Sequence, residues 1–220
     1  MSETHSPYIV VVGVDFSTTG NAALDRAFAL TSDQPKGELH VIHVARGYGP
    51  MVHLEADGEI ETLSMEEASQ KLRAHVEERL EAFLKSREGA GLPVFERAVT
   101  HLRLDAPAEE TAQLAADLDA ELVVVGTHGR RGIRRLLLGS VAEGVVRLAP
   151  CPVLVVRPKH QGAVPEIEPP CPDCAEARRT SGGQELWCAE HQVRHGRRHT
   201  YHYLDRNSRP APSMNQPQTK

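Results

Sequence analysis

Residues 122–140 read LVVVGTHGRRGIRRLLLGS. The opening LVVV is short, β-branched and free of polar residues, the pattern of a strand covered on both faces in a parallel sheet. Gly126, Gly129 and Gly132 leave that strand. Glycines there let backbone N–H groups approach an anion closely. Gly139 and Ser140 stand at the head of VAEGVVRLA, which has helical spacing. A turn beginning there would aim free N–H groups and the Ser140 hydroxyl at the same anion, as a nucleoside polyphosphate requires. The plainer reading makes the glycines turn formers and starts the helix at residue 134, running to 148. Spacing alone does not separate the two. Neither G-x-x-x-x-G-K-[ST] nor a G-x-G-x-x-G at a strand end is present, so the ordinary phosphate and dinucleotide fingerprints are excluded.

Working outward, YIVVVGV at 8–14 is a first buried strand, followed by Asp15-Phe16-Ser17 and the helical stretch NAALDRAFAL, with Ser17 or Thr18 as N-cap. ELHVIHV at 38–44 is a second strand. Gly47, Gly49, Pro50 and Gly58 break any period over 46–63, which reads as a long loop. Ser64 and Glu67 form a capping box before a helix that runs to about Arg87, its stripe Ala68, Leu72, Val76, Leu80, Phe83 and Leu84. Residues 94–100 are a less apolar third strand, nearer an edge. Pro107 opens a further helix, and 153–156 is the fifth strand, stopped by Pro158. Strands alternating with helices predict an α/β fold: a five-stranded parallel sheet with helices on both faces. Ligands on such sheets sit at the carboxyl ends of the strands, where strand order reverses. Asp15 stands at such an end and suits ribose hydroxyls, or a helix cap, or both.

The spacing G-x2-G-x9-G-S, at Gly126, Gly129, Gly139 and Ser140, resembles the signature of ATP-binding universal stress proteins. VVVGTHGRRG, LLLGSVAE and APCPVLVVRP fit the same pattern, as do Asp15-Phe16-Ser17 and HVIHV, so the likeness spans about 7–158. It implies a Rossmann-like, adenine-nucleotide-binding domain. Adenine and ribose would lie by Gly13, Val14, Asp15 and Val44, and the phosphates, with Mg2+, at Gly126, Gly129, Gly139, Ser140 and Val141. It also implies a homodimer through 153–156. No catalytic residue follows from it, and at most slow ATP hydrolysis or autophosphorylation. Arg130, Arg131, Arg134 and Arg135 either screen the phosphates or form a solvated face, and His128 reads as a loop residue.

The 220 residues carry a net charge of −5 and are 4% aromatic. Both figures argue against nucleic-acid binding by the whole chain. No apolar run approaches the ~20 residues that span a bilayer, and the first seven residues lack a signal peptide's apolar segment. The expectation is a soluble, cytoplasmic protein. Its charge is uneven: residues 1–160 hold 17 Lys/Arg against 23 Asp/Glu, net −6, and residues 161–220 hold 8 against 7, net +1. The cysteines are uneven too. Cys151 reads as a core or interface residue, while Cys171, Cys174 and Cys188 fall in the tail.

Cys171-x2-Cys174-x13-Cys188-x2-His191 suits a tetrahedral Zn2+ site of Cys3His type. His195 and His199 are alternative fourth ligands, and Ser181-Gly182-Gly183 is a natural hairpin tip, so a zinc-ribbon-like module over 171–203 is expected. With little apolar content, it would need metal to fold. A CxxC redox pair is the rival reading. Residues 159–170 read as a linker and 204–220 as a disordered tail. The basic stretch after His191 suits an acidic protein or nucleic-acid partner. The leading function is an ATP-binding stress-response or signalling protein, its nucleotide state biasing conformation or dimer, with the zinc module as partner site. The alternatives are a metal-dependent adaptor or redox sensor on a dimerising scaffold, and an enzyme using ATP on a small substrate.

Overall fold

The computed structural model describes residues 6–48, 51–56, 59–86, 95–127, 138–158 and 171–196. The chain divides into two compact units, Met1–Gly162 and Ala163–Lys220.

In the first unit the elements run β1 (Tyr8–Gly13), α1 (Thr18–Ser32), β2 (Gly37–Tyr48), β3 (Met51–Ala56), β4 (Glu59–Ser64), α2 (Met65–Ser86), β5 (Arg97–Leu104), α3 (Pro107–Asp117), β6 (Leu122–Gly126), α4 (Ser140–Leu148) and β7 (Val153–Val156). Five strands are parallel, in the order β5-β2-β1-β6-β7. Each strand residue points to the face opposite its neighbour. Val10, Val12, Leu39 and Val41 pack with Leu24 and Phe28 of α1 and Leu72 of α2. Val11, Ile42, Val123 and Val125 pack with Leu114 of α3 and Val145 of α4. The uninterrupted valines of β1 and β6 follow from burial on both faces.

Residues 46–63 are not a loop. β2 runs on to Tyr48, and its end pairs antiparallel with β3, which pairs antiparallel with β4, so the whole sheet is mixed and seven-stranded. Val52 and Leu54 are fully buried beside Leu72 in the first core, while Met51 is exposed. This period-2 alternation in MVHLEA carries the strand. Gly49, Pro50, Asp57 and Gly58 lie outside the described residues. β5 starts at Arg97, three residues later than the expected 94, and in the parallel set it pairs only with β2.

Both expected caps form. Ser17 is the N-cap of α1, its hydroxyl accepting from the Gly20 N–H at 3.1 Å. At α2 the Ser64 N–H donates to Glu67 Oε2 at 2.8 Å, and the Glu67 N–H donates back to Ser64 Oγ at 3.2 Å. Ser64→Ala removes one arm of this box and is expected to lower stability by about 1 kcal/mol in urea unfolding.

His40 and His101, on adjacent strands, share a 2.9 Å hydrogen bond, with Glu38 at 3.5 Å from His40. Burial, then the neighbouring His40 and Arg103, push His101 from 6.5 down to about 4, and burial also lowers His40. The folded state thus binds fewer protons here than the unfolded one. Its stabilising share is complete above pH 6.5 and is lost as pH falls from 6.5 toward about 4. A melting temperature that declines across this window, with the decline flattened in His101→Gln, is the expected result. After discounting for the ring's partial exposure, the effect is about 2 kcal/mol.

The second unit contains α5 (Pro172–Thr180) and α6 (Ala189–Gly196). Gly182 and Gly183 have φ of 61° and 89°, and the Gly183 N–H donates to the Arg178 carbonyl at 2.8 Å. The expected tip is therefore a turn, but it joins helices, and the ribbon-like hairpin is replaced by a helix-turn-helix. Pro172 at the first turn and the Arg179–Glu176 pair favour helix over strand. The expected linker at 159–170, the module's end at 203 and the tail at 204–220 lie outside the described residues.

Candidate functional site

In the parallel set, the chain passes from β1 to β2 and β5 on one side, and β6 and β7 lie on the other. Strand order thus reverses between β1 and β6, and the crevice for a ligand opens at their carboxyl ends. The expected residues gather there. Gly13 ends β1, and Val14 donates its N–H to the Ile42 carbonyl of β2 at 2.9 Å. Asp15 Oδ1 accepts from the Ser17 N–H at 3.1 Å and the Ser17 hydroxyl at 2.5 Å. Val44 is half-buried on β2, opposite Arg103 of β5.

Gly126 ends β6 against the first turn of α1, where a Cβ would sit 2.9 Å from the Thr19 carbonyl carbon and oxygen. The Gly139 N–H donates to the Thr127 carbonyl at 2.8 Å and so ties the head of α4 to the end of β6. Leu138 and Gly139 are not helical. Gly139 is an extended N-cap (φ −61°, ψ 147°), and α4 begins at Ser140, not at 134. The first turn of α4 keeps N–H groups outside its own hydrogen-bond ladder, a donor set suited to an anion. Gly129, His128, Arg130, Arg131, Arg134 and Arg135 lie outside the described residues.

Two features escaped the sequence reading. Among the described residues, the Thr127 hydroxyl oxygen is buried without a hydrogen-bond partner, next to the end of β6. Phe16 has φ of 61°, a left-handed conformation that is strained for a bulky residue. Its ring meets His43 and His75 edge-on at 4.9 Å each, and His43 Nδ1 donates to the Val14 carbonyl at 2.8 Å. Thr127 was visible only as part of GTHG, and the aromatic group needs strand register to be seen.

A second cluster lies in the C-terminal unit. The ligand atoms of Cys171, Cys174, Cys188 and His191 all lie within 4.8 Å of one another. His191 Nδ1 is 3.4 Å from Cys174 Sγ and 3.4 Å from Cys188 Sγ. All four cysteines of the chain are free thiols. The His191 backbone N–H, ahead of the neighbouring thiols, lowers Cys188 to about 7. The side chains of His195 and His199 lie outside the described residues. Cys151 packs half-buried against the second core, as expected of a core residue, and burial raises its thiol.

A doubly wound α/β domain with a glycine ending each of the two strands at its order reversal defines the class of protein. Residues 8–157 match the family model described as the universal stress protein family, and the chain belongs to that family. A universal stress protein of Methanocaldococcus jannaschii is 34% identical over 69% of this chain and 84% of its own length. A second from the same organism is 32% identical over 43% of this chain and 56% of its own. Among solved structures, a universal stress protein in complex with cAMP is 27% identical, covers 69% of this chain and 98% of its own, and has a TM-score of 0.48. Among the described residues, no helix is long and apolar enough to cross a membrane.

Proposed function

We propose that the chain is an ATP-binding stress-response protein of the cytoplasm, whose nucleotide state biases its conformation or its dimer. The tie between Gly139 and Thr127 carries this reading, because it holds the first turn of α4 over the end of β6. Gly126 lets backbone come close there, and the Thr127 hydroxyl, unpartnered among the described residues, offers one more donor. Phosphates with Mg2+ would rest on Gly126, Gly129, Gly139, Ser140 and Val141. Ribose and adenine would lie against Asp15, Gly13, Val14 and Val44. When bound, ATP supplies a polyanion whose loss or hydrolysis the crevice can sense, and no residue of this chain is assigned a catalytic step.

The edge strand β7 favours a homodimer through Val153–Val156, since among the described residues it pairs only with β6. The C-terminal unit, taken as 171–203 beyond a linker at 159–170, joins the proposal as a zinc-binding partner module. Its ligand quartet favours a second reading, a metal-dependent adaptor or redox sensor in which the first unit is a scaffold.

Protein purified under native conditions is expected to carry ATP, seen by mass spectrometry, and the emptied protein to rebind it in calorimetric titration. Absence of binding across a full titration with Mg2+ refutes the nucleotide reading and leaves the scaffold reading in place.

A further inference from the structure

We propose that one Zn2+ ion, held by Cys171 Sγ, Cys174 Sγ, Cys188 Sγ and His191 Nδ1, takes the place of a hydrophobic core in the C-terminal unit, which folds only when the metal is bound. The inference rests on the reading of this quartet as a metal site and assigns the metal its work there.

Among the described residues of the unit, apolar burial is sparse. Both apolar clusters of the protein draw their buried residues from the first unit. Between residues 171 and 193, Cys174 is the one buried residue, 3% exposed. Helices of 9 and 8 residues are below the ~12–15 residues at which even good isolated helices become marginal. Yet the two are linked by contacts that converge on sulfur. The Cys188 N–H donates to Cys174 Sγ at 3.3 Å, and His191 Nδ1 reaches both Cys174 and Cys188.

The ligands are placed alike on the two helices. Cys171 is the N-cap of α5 and Cys174 lies in its first turn. Cys188 directly precedes α6 and His191 lies in its first turn. Each helix thus presents two ligands three residues apart at its amino end, where backbone N–H groups and the helix dipole favour thiolate charge. The distances fit zinc. Bonds of about 2.3 Å to sulfur and 2.0–2.1 Å to nitrogen, set at tetrahedral angles, separate S and N by about 3.5 Å. His191 Nδ1 lies 3.4 Å from each of Cys174 Sγ and Cys188 Sγ. Three thiolates and an imidazole select Zn2+ over harder cations, and four protein ligands leave no open position, so the centre is structural. Three cysteines cannot all pair as disulfides with one another.

The only tryptophan of the chain, Trp187, adjoins Cys188 and reports on this unit within the intact 220-residue chain. The reduced chain is expected to bind one zinc by metal analysis. A strong chelator should then red-shift Trp187 emission and open residues 171–196 to protease, while the thermal transition of the first unit stays in place. One equivalent of Zn2+ should restore both signals. Cys174→Ser and His191→Ala should lose the metal and the folded signals together, and Cys151→Ser should keep them. If reduced wild type takes up no zinc at stoichiometric Zn2+, the metal site itself is refuted. If one zinc binds but chelation leaves emission and protease resistance unchanged, the site stands and its role in folding is refuted.

Discussion

Gly126→Val is expected to abolish ATP binding in calorimetric titration and to lower stability to urea by about 3 kcal/mol. Both effects arise from one contact. The Cβ of any residue at 126 sits 2.9 Å from the carbonyl carbon and oxygen of Thr19. Those are backbone atoms of a helix that caps itself through Ser17, so they cannot swing aside as a flexible side chain would. Either the end of β6 or the start of α1 must shift. A shift of β6 carries Thr127, and with it the Gly139 N–H that anchors α4. A shift of α1 carries the Ser17 groups bound to Asp15. Both sides of the proposed nucleotide site are therefore disturbed. Gly126→Ala isolates the cause, because it adds the same Cβ without the branched methyls. It should already cost stability and weaken binding. An alanine variant that unfolds and binds like wild type would show that Gly126 is present only for its turn.

What the sequence disclosed and what it hid follow from the range of the interactions involved. β1 and β6 were legible because burial on two faces demands unbroken apolar runs, as in YIVVVGV and LVVV. The Ser64–Glu67 box was legible because its two hydrogen bonds close within four residues. The metal quartet could be read from spacing, since each ligand pair lies within a single turn of chain. The β3–β4 ribbon was hidden because Gly47, Gly49, Pro50 and Gly58 suggest a loop, whereas Gly47 lies within β2 and each ribbon strand is only six residues long. The tail was taken for a hairpin because Gly182-Gly183 signals a reversal without saying what flanks it. β5 was misplaced because THLRL, half-buried at an edge, is too polar to resemble its neighbours. The Thr127 hydroxyl and the Phe16–His43–His75 group could not be seen at all. Their surroundings come from segments dozens of residues apart, and strand register decides which of them meet.

Asp15→Ala is expected to weaken ATP binding about 30-fold, close to 2 kcal/mol, the range of one charge-assisted hydrogen bond. Here two roles must be separated. Asp15 Oδ1 already accepts from the Ser17 N–H and hydroxyl, so part of its value is local and organises the start of α1. A carboxylate has about four acceptor positions, however, more than the two that Ser17 takes. If the remainder serve ribose, wild type should prefer ATP to 2′,3′-dideoxy-ATP by a similar factor, and the alanine variant should bind the two equally. If Asp15 is only a cap, the variant loses stability and some affinity for both nucleotides, and any preference between them survives. Asp15→Asn sharpens the comparison, because the amide oxygen can still accept from Ser17 while the charge is gone. Near-normal stability with a reduced preference for ATP is the expected outcome for the asparagine. It would place the carboxylate's charge on the ligand and its geometry on the fold.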